Sequence, residues 1–305
     1  MTAATGLTRP ARRHDHWSRW SMVAASVLAL AGFAWPLLAA AVPKDAQGAA
    51  PIVALALVPV VVIAVALSLD REMHTATTVA MLGVLAAVGA AVRIAGAGVG
   101  GVEAVFIVLI LAGRAYGARF GFVLGMLTIA LSSVLWGGVG PWTPFQIFAC
   151  GWVAAGAGLL PRIRSASPRV ARRWEILMLV AYGVVASYVF GLLMNLWFWP
   201  FAVGSGTGIS YVADAPIDQN LSSFGLYSLV TSTLTWDTVR AITTTVGILL
   251  VGPAALAALR RAKVGRSRLT PRNSERRGGG TRTRRSTARD ATAIPPTAPP
   301  PSAPV

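Results

Sequence analysis

The stretch "VEAVFIVLILAGRAYGARFGFVLGMLTIALSSVLW", residues 102–136, decides the fold class. An apolar run at 102–113 leads into a basic, glycine-containing turn with Arg114 and Arg119. A second apolar run, 119–136, follows at once. A segment in lipid must satisfy its own backbone hydrogen bonds, so runs of this kind read as helices. The second run approaches the roughly 20 residues that cross a bilayer. The first is short for a crossing and reads as a short, tilted or partly re-entrant helix.

Six more runs extend the pattern, at 21–42, 50–69, 75–94, 143–160, 176–199 and 238–259. The 305 residues are 55% hydrophobic and 12% charged, where a soluble domain carries about 25% charge. The expected fold is an all-α integral membrane protein of about eight transmembrane helices. Its expected parts are a basic N-terminus (1–20), two N-terminal helices (21–69), a membrane core (75–259) and a basic tail (260–305). The tail is polar and ends rich in proline, a composition that cannot bury enough apolar surface to offset chain entropy. A cleaved leader ending at "LLAAAVP" is the competing reading of residues 1–42, although secretory apolar regions are shorter, about 7–15 residues.

The net charge is +16. From Arg260 onward there are twelve Arg or Lys and two Asp or Glu, so most of that charge sits in the tail. Beside a membrane helix such a tail is a topology signal and an attraction for anionic lipid, and no nucleic-acid partner is expected. Arg9, Arg12, Arg13 and Arg19 precede the first run, and Arg71, Arg114, Arg119 and Arg162–Arg173 mark alternate loops. Segment 200–237 carries Asp214, Asp218 and Asp237 with no Lys or Arg. Basic loops face the cytoplasm. The protein is therefore expected in the cell membrane, with both termini cytoplasmic.

Several classes lose ground by omission. There is no phosphate-binding G-x-x-x-x-G-K-[ST] loop, no H-E-x-x-H and no G-x-S-x-G. The single cysteine, Cys150, lies in an apolar run and excludes an internal disulfide and multi-cysteine metal sites. Ionisable groups within the runs are few, which speaks against proton coupling; Glu103 is the nearest candidate. No enzyme activity, metal or cofactor is expected.

Three constellations remain. Gly83, Ala87 and Ala91 recur every fourth residue, with Ala86 and Ala90 beside them. Such a stripe lets another helix approach, either within the chain or from a partner. "LWGGVGPWTPFQ" (135–146) places Trp136, Trp142 and Gln146 around an outward turn, which suits either a ligand pocket or interfacial tryptophans at a tight turn. "MNLWFWPF" (194–201) brings Asn195, Trp197 and Trp199 to the end of a run. An amide there needs a partner. The two tryptophans face one pocket only if the helix breaks before Pro200. The long segment after it reads as a lid or binding loop. Thr235 then reads as an N-cap, with Asp237 and Arg240 spaced for an i, i+3 pair that is either structural or part of a site.

Together these segments resemble the substrate-binding (S) component of energy-coupling factor (ECF) vitamin transporters, in an actinobacterial-type subgroup. The resemblance covers about 75–259. It rests on the small-residue helix at 80–94, on "EAVFIVLILAGRAYGARFGFVLG", on "GGVGPWTPFQ" followed by "GWVAAGAGLLPR", and on "NLWFWPF". It implies a six-helix core that captures a vitamin-like solute from outside. It also implies a complex with a transmembrane coupling protein and two ABC ATPases. By the same resemblance Gly83, Ala86, Ala87, Ala90 and Ala91 contact the coupling protein, and Trp136, Trp142, Gln146, Asn195, Trp197, Trp199 and Asp237 bind the solute. The two N-terminal helices and the tail depart from the family pattern. Tryptophans favour flat rings and the acidic outer segment disfavours a strongly anionic solute, so a heteroaromatic micronutrient or a corrinoid fits. The alternatives are a stand-alone secondary transporter, a ligand-free membrane scaffold and a membrane-embedded transferase.

Overall fold

A computed structural model describes residues 13–39, 49, 52–53, 55–60, 76–97, 99–163, 165–213 and 215–269, with side chains of 13–22 and 263–269 outside the description. One compact unit reaches Arg266, and a second begins at Ser267. The described residues of the first unit are helical or irregular, with no strand. The elements are α1 (Arg13–Phe33), α2 (Trp35–Ala39), α3 (Ala76–Ala95), α4 (Val105–Tyr116), α5 (Ala118–Trp136), α6 (Thr143–Leu159), α7 (Pro168–Ala202), α8 (Ile217–Ser228) and α9 (Thr238–Leu269). A π-helical segment, Leu229–Asp237, joins α8 to α9.

Four helices are long and apolar enough to cross a membrane: α3, α5, α7 and the continuous rod Ile217–Ala262. These are the mark of a membrane protein. Helix α4 has 12 residues, about 18 Å at 1.5 Å per residue, and is short as its sequence suggested. The second apolar run, and the junction near residue 42 where a leader would be cut, lie largely outside the described residues.

Glycines set the centre of the bundle. Lipid offers no hydrophobic push between helices, so close backbone contact must substitute for it. Gly113 of α4 and Gly121 of α5 both lie against the carbonyl of Ala154 in α6; a Cβ on Gly121 would stand 2.6 Å from that oxygen. Gly125 stands as close to the Cys150 carbonyl, and Cys150 is a buried free thiol. The fold-deciding stretch thus folds back on itself at Gly117 and buries its small face on α6.

The N-terminal helices belong to the same body. Phe33 is fully buried, edge-on to Phe145 at 5.0 Å and tilted on Trp152 at 5.6 Å. Trp152 Nε1 donates to Ser26 Oγ (3.0 Å), and Trp35 Nε1 donates to the Trp197 carbonyl (2.9 Å).

The segment after Pro200 departs from its expected form. Only about 203–216 is irregular; the rest is helix that runs unbroken into α9. Thr235 is therefore no N-cap, because the helix begins at Ile217 and the amides beyond Thr235 already have partners. Tertiary packing explains the difference: Phe224 and Tyr227 lie on the buried Trp199 ring, at 5.5 and 6.5 Å. That contact gives an otherwise weakly periodic stretch a face to bury.

The two sets of loops lie at opposite ends. Gly96, Ala97, residues 101–103, Trp136 and Trp236 meet at one end. Arg114, Leu160, Arg172 and Arg260 meet at the other, where Tyr116 Oη also donates to the Leu259 carbonyl (3.0 Å).

Candidate functional site

The end that carries residues 101–103 holds a cavity of about 210 Å³. Trp136 and Trp236 are two of its walls, Arg93 and Glu103 supply its charges, and the turn residues Gly96, Ala97, Val99, Gly101 and Val102 line the rest. The turn depends on Gly101. Its φ is +77°, and a Cβ there would stand 2.8 Å from both the Trp236 carbonyl and the Val239 side chain. Only glycine fits both the left-handed backbone and the space.

Each charge is held from behind. Arg93 donates to Ser132 Oγ and to Gln146 Oε1, both at 3.0 Å. Both partners are neutral, and among the described residues no carboxylate pairs with Arg93. Glu103 accepts from Arg240 Nε at 2.7 Å. Arg240 in turn reaches Asp237 Oδ1 (2.6 Å) and the Ser187 carbonyl (3.1 Å). Ser232 Oγ donates to the other Asp237 oxygen at 3.0 Å. The Arg240 guanidinium also lies over the Phe190 ring, 4.8 Å from its centroid.

Asp237 is completely buried. Its carboxylate fills the space a side chain on Gly191 would need. A buried carboxylate persists only when paired and hydrogen-bonded, and this one has Arg240 on one oxygen and Ser232 on the other. The π segment ends on Asp237. Such segments are rare, and they occur often at functional sites. Here it leaves Trp236 on the cavity wall and turns its neighbour Asp237 into the bundle. The four charges Arg93, Glu103, Asp237 and Arg240 sum to zero, with one cation and one anion presented to the cavity.

The residues expected to bind a solute fall into two groups. Trp136 lines the cavity. Gln146 and Asp237 act one step back, Gln146 by holding Arg93 and Asp237 by holding Arg240 against Glu103. The others lie elsewhere. Trp142 is half-exposed, with its ring over Gly140. Asn195 Nδ2 donates to Ser228 Oγ at 3.0 Å, tying α7 to α8. Trp197 is buried and stacked on Phe145 at 4.3 Å with the rings 6° from parallel. Trp199 is buried, donates to the Ile209 carbonyl (2.7 Å) and packs on Tyr211. Helix α7 continues past Pro200 to Ala202, so these two tryptophans face different neighbours, as their spacing requires of an unbroken helix.

Arg93 and Trp236 are the site residues the sequence reading passed over. Arg93 carried a signal, being a lone cation at the end of an apolar run. Trp236 carried only its adjacency to Asp237.

The small-residue stripe on α3 divides. Ala86 and Ala90 are buried, and Gly89 meets Thr128 of α5. Gly83, Ala87 and Ala91 are exposed, with Val79, Val84 and Val88 beside them.

Compared with family models, with curated proteins and with solved structures, the chain matches none.

Proposed function

We propose that this chain is the solute-binding subunit of an ATP-driven importer of the ECF type, working in the cell membrane with a transmembrane coupling protein and two ABC ATPases. One observation carries the reading: a small cavity lined by two indoles, at one end of the bundle, with a cation and an anion each braced by partners. That is binding geometry. It has flat faces for a ring, two fixed charges for polar substituents, and no group placed as a nucleophile. The volume is below the roughly 300–1,000 Å³ of ordinary ligand pockets, so it favours a small, zwitterionic or polar heteroaromatic micronutrient over a corrinoid. The exposed half of the α3 stripe supports docking of a second membrane protein, because small side chains admit a close helix. The sequence has no G-x-x-x-x-G-K-[ST] loop, and this reading assigns the energy to partners.

A second reading draws on the Asp237–Arg240–Glu103 network. Intramembrane ionisable groups mark proton or ion pathways, which favours a secondary carrier that works alone. Transport into proteoliposomes separates the two. The probe is a mixture of radiolabelled water-soluble vitamins, with and without an imposed pH gradient. The first reading expects binding by the purified chain and no uptake unless coupling protein, ATPases and ATP are added. Gradient-driven uptake by the chain alone would transfer the assignment to the carrier.

A further inference from the structure

The end of the bundle opposite the proposed solute site holds a much larger cavity, about 860 Å³. Four arginines line it, Arg114, Arg162, Arg172 and Arg260, with Glu175 as the carboxylate among them. Glu175 is already occupied. Arg114 Nε reaches it at 2.7 Å, and Arg260 grips both its oxygens, at 2.6 and 3.0 Å. Every nitrogen of Arg114 is already engaged, since the other two bond the Leu160 and Pro161 carbonyls at 2.7 and 3.0 Å.

Arg162 and Arg172 stand apart from that arrangement. Both line the cavity and both are exposed. Neither has an ion-pair partner among the described residues. The cavity therefore has a surplus of three positive charges, two of them on uncommitted guanidinium forks. The first turn of α7 adds its positive end there, with Pro168 at the wall and Ser167 making no side-chain cap. Guanidinium forks and free helix amides are matched to phosphate oxygens. One wall is apolar, formed by Ile176 and Leu256. A phosphate-bearing amphiphile would use both halves, while a free phosphate would use one.

We propose that this cavity is a binding site for the phosphate headgroup of an anionic phospholipid, with Arg162 and Arg172 as its free ligands and Arg260 shared between Glu175 and the lipid. The site is independent of the solute cavity. Basic pockets between membrane helices bind such headgroups, with each basic residue near the surface contributing about 1 kcal/mol.

Native mass spectrometry of the full chain in neutral detergent tests this, with phosphatidylglycerol, phosphatidylcholine and soluble glycerol phosphate as probes. The expected result is a retained phosphatidylglycerol adduct, no comparable phosphatidylcholine adduct, and no displacement by equimolar glycerol phosphate. The double variant Arg162→Gln/Arg172→Gln should weaken the adduct about 25-fold, from about a fivefold loss per arginine. The basic tail is present in both proteins, so its own attraction for lipid cancels. An adduct of equal strength in wild type and variant would overturn the proposal, as would equal retention of phosphatidylcholine. Displacement by equimolar glycerol phosphate would reassign the site to a soluble phosphate. Should the double variant fold poorly, the single variants Arg162→Gln and Arg172→Gln, each expected to weaken the adduct about fivefold, decide in its place.

Discussion

Two arginines of similar chemistry have different roles in this protein, and single substitutions separate them. Arg240 lies inside the bundle between Glu103 and Asp237. Removing one partner of a buried ion pair leaves an uncompensated charge, at a cost of about 3–5 kcal/mol. Arg240→Met should therefore lower the thermal unfolding midpoint steeply. Among the described residues Arg93 bonds only to neutral groups beside the cavity, and Arg93→Gln should leave the midpoint nearly unchanged while removing the cavity's cation. Thermal unfolding of both variants in detergent checks this, and equal destabilisation would refute the division of roles. Asn195 belongs with the structural group. Asn195→Leu leaves the buried Ser228 hydroxyl without this partner, so stability should fall by about 1–3 kcal/mol. A solute-binding defect at unchanged stability would instead return Asn195 to the site.

Helices meet here through what their side chains lack. Gly121 touches the Ala154 carbonyl, so Gly121→Val must push α5 from α6 and should abolish recovery of monodisperse protein in detergent. Wild-type behaviour would show that the α5–α6 contact is looser than described. Helix α3 presents the opposite case. Ala87 is exposed on a smooth face, so on the proposed importer reading Ala87→Phe should leave folding and solute binding intact and block co-purification with the proposed coupling protein. Loss of solute binding in that variant would make the face internal to the chain's own function.

The α-helical class, the short fourth run and the Asp237–Arg240 spacing were legible in the sequence because each depends on local length or on i, i+3 geometry. The helix through 217–237 was not. Its polar residues resemble a loop, and it is held by aromatic contacts to Trp199 that no local pattern encodes. Glu103 and Arg240 are 137 positions apart, and Arg93 and Gln146 are 53 apart. Pairs so distant become visible only once the chain has folded.

At the scale of the molecule the two ends differ in character. One end closes a small cavity with balanced charge between tryptophans; the other opens a wide, basic one. The account's central claim is that the small cavity holds a solute. The most direct measurement is mass spectrometry of small molecules released when the chain, purified from its native membrane, is denatured. Wild-type protein should release one low-mass, ring-containing species in near-stoichiometric amount, and Arg93→Gln, folded to the same midpoint, should release at most a tenth as much. Release of the same species in equal amount from both proteins would contradict the claim, and so would release of nothing from either.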